Sequence, residues 1–370
     1  MIPLAKNSNE YYRGKRKRSG SALLLPVIAL ALAAFLILLF YGLQKFIVVT
    51  ADDLYLDIPF VTEKHRTSGD DSDITVKDFE KVTAQLNIGE PDYSNIKATA
   101  GEGLAPVKAL FVPADKVNEE GVAAAAASLE KGDTLLLDLK TSSGALVWTS
   151  KTETALGYGT AGTVELAPIV KSLHDKNIKV AVRLCCFADD LLASRYAQVT
   201  LHDTDGKMFA DDDGAWLDPT SSVVRRYIAD MCRELDTMGV DEIVLKDMRL
   251  PETDKSFAFS SNTSAVPTPE TAIAGFAISL ARSLSDINAQ LSVQIYSSAA
   301  MQGLDSVTGQ NAALFLKVCD RVYRLSSIQS AEAELSSVSG IVPIGEAKNR
   351  YVPICYDGIP ETASWLYIGS

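Results

Sequence analysis

The sequence predicts an α/β fold: a closed (βα)8 barrel of the TIM type, preceded by a transmembrane helix and a stalk. Three observations carry this. From about residue 106 onward, short apolar runs alternate with amphipathic stretches. Near-continuous apolar strands of this kind belong to a parallel sheet covered by helices. Seven or eight such units fit within roughly 265 residues, close to the ~250 that a closed eight-stranded barrel requires. Ahead of them, SALLLPVIALALAAFLILLFYGL (21–43) carries no charge. A helix of about 20 apolar residues spans the hydrocarbon core of a membrane.

The elements follow in order. VKALFVPA (107–114) reads as a buried strand, and GVAAAAASLEKG (121–132) as a helix closed by Gly132. TLLLDLKT (134–141) is the next strand. TVELAPIVKSLHDKN (163–177) is a helix, followed by the strand IKVAVRLCCF (178–187). SSVVRRYIADMCRELDTMG (221–239) is a helix that leads into VDEIVLKDM, and PETAIAGFAISLARSLSDIN (269–288) leads into LSVQIYSS (291–298). ALFLKVC, DRVYRL (320–325), a polar helix around 331–335, YVPICYD (351–357) and SWLYIG (364–369) complete the series. A doubly wound open sheet is the alternative. It usually places a Gly-rich turn after the first strand, and VPADKVNEEG has none.

The domain plan is a basic tip (1–20), a membrane helix (21–43), a stalk with one short helix near 73–87 (44–105), and the barrel (106–370). The tip carries Lys6, Arg13, Lys15, Arg16, Lys17 and Arg18 against Glu10, about +5, so within a total of −12 the remainder is about −17. An acidic body repels phosphate backbones, which excludes nucleic acid as a partner. Basic residues before the apolar run put the N-terminus in the cytoplasm and the rest outside, in a single pass through the cell membrane. The competing reading is a cleaved signal peptide. The run is long for that, and YGLQKF is a poor cleavage site.

Five cysteines, Cys185, Cys186, Cys232, Cys319 and Cys355, fit no zinc or thioredoxin spacing, and at least one must be free. Buried thiols are expected, with a single bridge as the alternative. His65, His174 and His202 are scattered. No metal and no cofactor is expected. GYGTAG (157–162) has the letters of a dinucleotide fingerprint but lies far along the loop after the second strand, and reads as a loop. HDTDGKMFADDDG (202–214) is acidic like a calcium loop but lacks the ligand order and the terminal Glu. Tight turns around a hairpin are the plainer reading.

In such a barrel, function gathers at the C-terminal strand ends. Residues two apart share a face of a strand. Asp138 and Lys140 are therefore expected to point together, as are Arg183, Cys185, Phe187 and Asp189. In DEIVLKDMRLP (241–251), Val244, Lys246 and Met248 take one face, and Leu245, Asp247 and Arg249 the other. Charges at these positions must pair or do chemistry; the bland reading is an ion-pair network closing the mouth. WLDPTSS opens a helix that Asp218 or a following hydroxyl can cap. Trp216 is also read as a stacking platform for a sugar ring.

Several of these pieces together resemble an uncharacterised bacterial family of glycoside-hydrolase-type barrels: LLLDLKTSSG, LHDKNIKVAVRLCCFADD, WLDP, GVDEIVLKDMRLPE, and later GQN. The resemblance runs from about Val107 to the C-terminus and implies a barrel that acts on a glycosidic bond. Asp138, Lys140 and Gly144 match one family motif. Arg183, Phe187 and Asp189 match a second, and Asp241, Glu242, Ile243, Arg249 and Pro251 a third. In the third, Lys246-Asp247 stands where the family has Asp-Tyr. The later Met-x-Tyr-Pro-Ser and Pro-Trp segments are eroded to VYRLSS and PICYD.

Glycoside hydrolysis usually needs two carboxyl groups, one of them a raised-pKa acid. With register kept, Lys246 supplies an ammonium where a carboxylate belongs, and Asp247 substitutes only if the strand end slips or bulges. The catalytic candidates are Asp138 with Asp247, or else Asp189. Lys140, Arg183, Trp216, Lys246 and Arg249 are the candidates for holding substrate, a polysaccharide or cell-wall glycan. The expected function is a membrane-anchored extracellular glycoside hydrolase. The alternatives are a catalytically inactive, glycan-binding barrel and an envelope scaffold protein.

Overall fold

The computed structural model describes residues 101, 103–260 and 267–369, together with the backbone of Ile47–Val49 and Leu54–Leu56. The expected membrane helix and the short stalk helix lie outside the described residues. The chain divides into two units, 1–89 and 90–370. In the first, Ile47–Val49 pairs antiparallel with Leu54–Leu56. Among the described residues no helix is long and apolar enough to cross a membrane.

The second unit is a closed barrel of eight parallel strands: β1 (Lys108–Val112), β2 (Thr134–Lys140), β3 (Lys179–Cys185), β4 (Glu242–Lys246), β5 (Gln290–Ile295), β6 (Val322–Leu325), β7 (Tyr351–Cys355) and β8 (Trp365–Tyr367). Sequential strands pair around the ring, and β8 closes on β1 through the register Leu366↔Ala109. The crossover helices are α1 (Glu119–Ala126), α2 (Leu166–His174), α3 (Ser222–Thr237), α4 (Pro269–Ser283), α5 (Ala312–Val318), α6 (Ile328–Ser339) and α7 (Ile344–Arg350). ALFLKVC lies mostly within α5. Between β7 and β8 a loop replaces the helix of the ideal (βα)8 pattern.

Local chemistry sets the helix ends. Asn118 caps α1 by accepting from Gly121 N–H, and Thr268 and Thr271 form a reciprocal box at α4, where Pro269 takes the first turn. The longest helix, α3, buries Val224, Tyr227, Ile228, Met231, Cys232 and Leu235, a stripe at helical spacing that faces the sheet. Gly239, at φ +85°, then turns the chain into β4.

Two apolar layers result. An outer one fills the space between strands and helices. A smaller inner one, with Ala109, Leu136, Ala181, Val244, Tyr323, Val352, Ile354 and Leu366, fills the barrel. The barrel floor is polar: Glu242 accepts from Ser292 and Tyr323 through Oε1 and pairs with Arg321 at 2.9 Å through Oε2. Residues just ahead of the expected boundary at 106 already belong to this unit, because Arg321 donates to the Ala105 carbonyl and Asn349 to that of Leu104. All five cysteines are buried and unbridged.

Candidate functional site

The inward alternation of each strand leads from the inner core to the C-terminal mouth. On β2 it runs from Leu136 to Asp138, and on β3 from Ala181 to Arg183 and Cys185. On β4 it runs from Val244 to Lys246, whose register partner is Cys185. Arg183 donates to both oxygens of Asp138, at 3.0 and 2.7 Å, and lies over the Phe111 ring at 4.5 Å. A bidentate pair of this geometry fixes both side chains.

Lys140 does not join them. The β2–β3 register passes from Asp138↔Arg183 to Lys140↔Leu184, so Leu139 is an extra residue and Lys140 is turned away from the mouth. Its ammonium lies 2.8 Å from Asp189, with both side chains 0% exposed, and donates to the Cys185 carbonyl. Burial alone would depress the lysine, but Asp189 and then Cys185 and Tyr227 outweigh it, and its pKa is raised. Asp189 is also the cap of the short helix Asp190–Arg195, accepting from Leu192 N–H at 2.8 Å. The expected roles of Lys140 in binding and Asp189 in catalysis are therefore corrected: neither side chain reaches solvent or the mouth.

Gly144 completes this buried unit. At φ +83° a Cβ there would stand 1.9 Å from Asp189 Oδ1. The glycine allows the β2 loop to lie on the carboxylate, and the backbone N–H groups of Asp190 and Leu191 donate to the Ser142 and Ser143 carbonyls. Lys140, Gly144 and Asp189, three of the residues that carry the motif resemblance, thus lash two loops together beneath the mouth.

Asp247 does reach the mouth, by a turn rather than by strand alternation. It adopts φ +50°, a left-handed conformation that Asp tolerates better than most residues. Its Oδ2 lies 3.2 Å from both Lys246 Nζ and Cys185 Sγ, and its Oδ1 accepts from Arg249 Nε at 3.3 Å. The Tyr296 hydroxyl is buried and has no hydrogen-bond partner among the described residues. Burial pushes the Asp247 carboxyl up, but Lys246 and Arg249 lead the groups that hold it below its usual range. Burial and then Asp247 push the Cys185 thiol up, so it remains a neutral donor.

Arg249 is committed as well. Its guanidinium lies between the Tyr296 ring at 4.3 Å and the Trp216 ring at 5.0 Å, and it pairs with Asp213 at 3.1 Å as well as with Asp247. The substrate contact expected of Arg249 is replaced by this internal clamp. Trp216 is corrected in the same way: it is fully buried, with Arg249 against its ring and its indole N–H donating to Asp211, and offers no free face to a sugar. Asp218 holds the Thr220 N–H and hydroxyl and the Ser260 N–H instead of capping α3 directly.

Sequence reasoning missed Tyr296, Phe111, Leu325 and Tyr356. Each continues an inward alternation to a strand end, and that periodicity was the available signal. Among the described residues no group of three or more His, Cys, Asp or Glu is placed to hold a metal ion.

A closed parallel barrel with its charged groups gathered at the C-terminal strand ends has the anatomy of a (βα)8-barrel enzyme scaffold. Residues 109–327 match the family described as "Putative glycosyl hydrolase domain", and the chain belongs to that family. Among solved structures it is similar to the PgaB (BpsB) glycoside hydrolase domain from Bordetella bronchiseptica. That match has 14% identity and TM-score 0.51, and covers 71% of this chain and 94% of the other. A hypothetical protein from Ruminiclostridium thermocellum matches at 23% identity and TM-score 0.44, over 50% of this chain and 96% of its own. Aspergillus fumigatus Ega3, in complex with galactosamine, matches at 12% and 0.41, over 69% and 79%. At such identities the first likeness speaks to the fold alone. No protein of curated function matches the chain in sequence.

Proposed function

We propose that this chain is a membrane-anchored, extracellular member of the glycosyl hydrolase family that binds a polysaccharide without cleaving it by the usual two-carboxylate route. One observation carries the reading: each carboxylate expected to act is held by a cation. Asp138 is clamped by Arg183, Asp189 is sealed with Lys140, and Asp247 sits between Lys246 and Arg249. The route needs one carboxyl that stays protonated to donate to the leaving oxygen. The cations around Asp247 act against that role. The anchor rests on the charge-free run at 21–43 and the basic residues before it.

The second reading is hydrolysis through Asp138 and Asp247. It is favoured by the left-handed turn that brings Asp247 to the mouth. The test uses the full-length chain in mild detergent on a glycan array, followed by reducing-end and mass analysis of any bound glycan. Retention without new reducing ends supports the binding protein. Cleavage that disappears in Asp138→Asn or Asp247→Asn establishes the hydrolase instead.

A further inference from the structure

We infer that the inner face of β5 holds a polar subsite for a neutral sugar, in which the Gln294 amide oxygen accepts from one sugar hydroxyl and the Tyr296 hydroxyl meets another. The inference rests on the glycan-binding reading above and adds the chemical class of the ligand.

The inward positions of β5 and its end are Ser292, Gln294 and Tyr296. Ser292 donates to Glu242 at the barrel floor, while Val293 and Ile295 face the outer core. Gln294 is 6% exposed. Its amide oxygen and the Tyr296 hydroxyl are buried, and neither has a hydrogen-bond partner among the described residues. The backbone that carries them is held firmly. Gln310 donates to the Gln294 carbonyl at 3.0 Å and accepts from the Tyr296 N–H at 3.0 Å. Both side chains are thus rooted in place while these two atoms stay unused. A buried polar atom left unsatisfied costs stability, and native folds carry few of them. Two on one face of one strand point to a partner from outside the chain.

The surrounding chemistry selects a neutral partner. Charges at the mouth balance, with Asp138, Asp213 and Asp247 against Arg183, Lys246 and Arg249. Gln294 Oε1 only accepts hydrogen bonds, so it disfavours an anion. Lys246 stands beside Gln294, because Val293 pairs in register with Leu245 and each is followed by an inward residue. An amino sugar's ammonium would meet that cation. Burial and then the Asp247 charge push the Tyr296 phenol up, so it remains a neutral hydroxyl. A sugar hydroxyl both donates and accepts, and suits each atom without bringing a charge. Lys246 is the movable part of the rim: its side chain is 26% exposed and its ammonium lies 3.2 Å from Asp247. A change of side-chain rotamer there, common on binding, opens the inner face beside Gln294. Arg249, 4.3 Å from the centre of the Tyr296 ring and paired with Asp213, keeps that ring fixed.

The test is a glycan array of neutral, amino-sugar, uronate, sulfated and phosphorylated oligosaccharides, probed with the full-length chain in detergent. Affinities of the hits are measured by calorimetry, and melting of the ligand-free proteins by circular dichroism. The expected hits are neutral. Gln294→Met and Tyr296→Phe each remove one polar end and keep the shape. Each then binds the neutral hits about three- to tenfold more weakly, as for one lost hydrogen bond. Both melt no lower than the wild type, because neither loses a bond within the chain. Variants that melt several degrees lower show that the two atoms serve the fold, and overturn the inference while leaving glycan binding in place. So do variants that bind as tightly as the wild type, and so do hits confined to charged glycans. Retention of no glycan at all overturns both readings.

Discussion

Replacing Asp189 by Asn changes the charge of one buried atom group and little else. Asn remains a good helix cap, so the bond from Leu192 N–H survives. The Lys140 ammonium, 0% exposed, is left without its counter-charge. Removing one partner of a buried pair costs about 3–5 kcal/mol, because the remaining charge cannot recover its hydration. For a domain of this size each kcal/mol moves the melting temperature by roughly 2–4 °C, so Asp189→Asn is expected to melt about 6–20 °C lower. Lys140→Met strands the carboxylate and loses a similar amount. The double variant carries neither charge and returns to within about 1–2 kcal/mol of the wild type, since apolar replacement of a buried pair is close to neutral.

The assay is thermal and urea unfolding of the full-length chain in detergent, followed by circular dichroism, with the four proteins forming a double-mutant cycle. The pH dependence adds a check. A lysine whose folded pKa is raised contributes fully below its ordinary value, about 10.4, and loses the contribution only as pH rises through the higher folded value. The gap between wild type and the double variant, which carries neither charge, should therefore be constant from pH 5 to about 9. Single variants within about 1 kcal/mol of wild type, or a double variant as unstable as the two losses added, would refute the buried-pair reasoning.

Three further outcomes follow from the same geometry. Gly144→Ala places a methyl group 1.9 Å from Asp189 Oδ1 at φ +83°, so it should lower stability by at least about 1–2 kcal/mol by urea unfolding, and much less in the Lys140→Met, Asp189→Gly background, where the obstructing carboxylate is gone. Trp216→Ala removes a fully buried indole and should cost about 3–5 kcal/mol in a melting assay, whereas an exposed sugar platform would cost little stability. Asp247 is held below its usual range by Lys246 and Arg249 against the opposing effect of burial. Its stabilisation should be present above about pH 3.9 and lost as pH falls through its lower folded value. Asp247→Asn should flatten that part of the acid-unfolding curve.

The motif letters were visible in the sequence; their roles were not. Asp138 and Lys140 stand two apart on one strand, and the period of two assigns them to one face. The extra residue at Leu139 breaks that period and sends Lys140 into the layer between sheet and helices, where Asp189 waits at the start of another loop. The same rule placed Asp247 with Leu245, away from Lys246. A left-handed φ at Asp247, a property of one peptide unit, reverses it. Trp216 failed differently: an aromatic residue in a loop looks the same on paper whether Arg249 covers its face or water does.

What the sequence determined by itself was the architecture: eight apolar runs of strand length and the amphipathic stretches between them, because burial of a strand on both faces and of a helix on one leaves a periodic record in residue type. What only the tertiary structure decided was which charges meet. Ion pairs such as Arg183–Asp138, Lys140–Asp189 and Arg249–Asp213 join residues tens of positions apart. Their partners are chosen by a bulge, a positive φ and the register of neighbouring strands. These geometric features leave no periodic trace, yet they determine which carboxylates the barrel mouth has at its disposal.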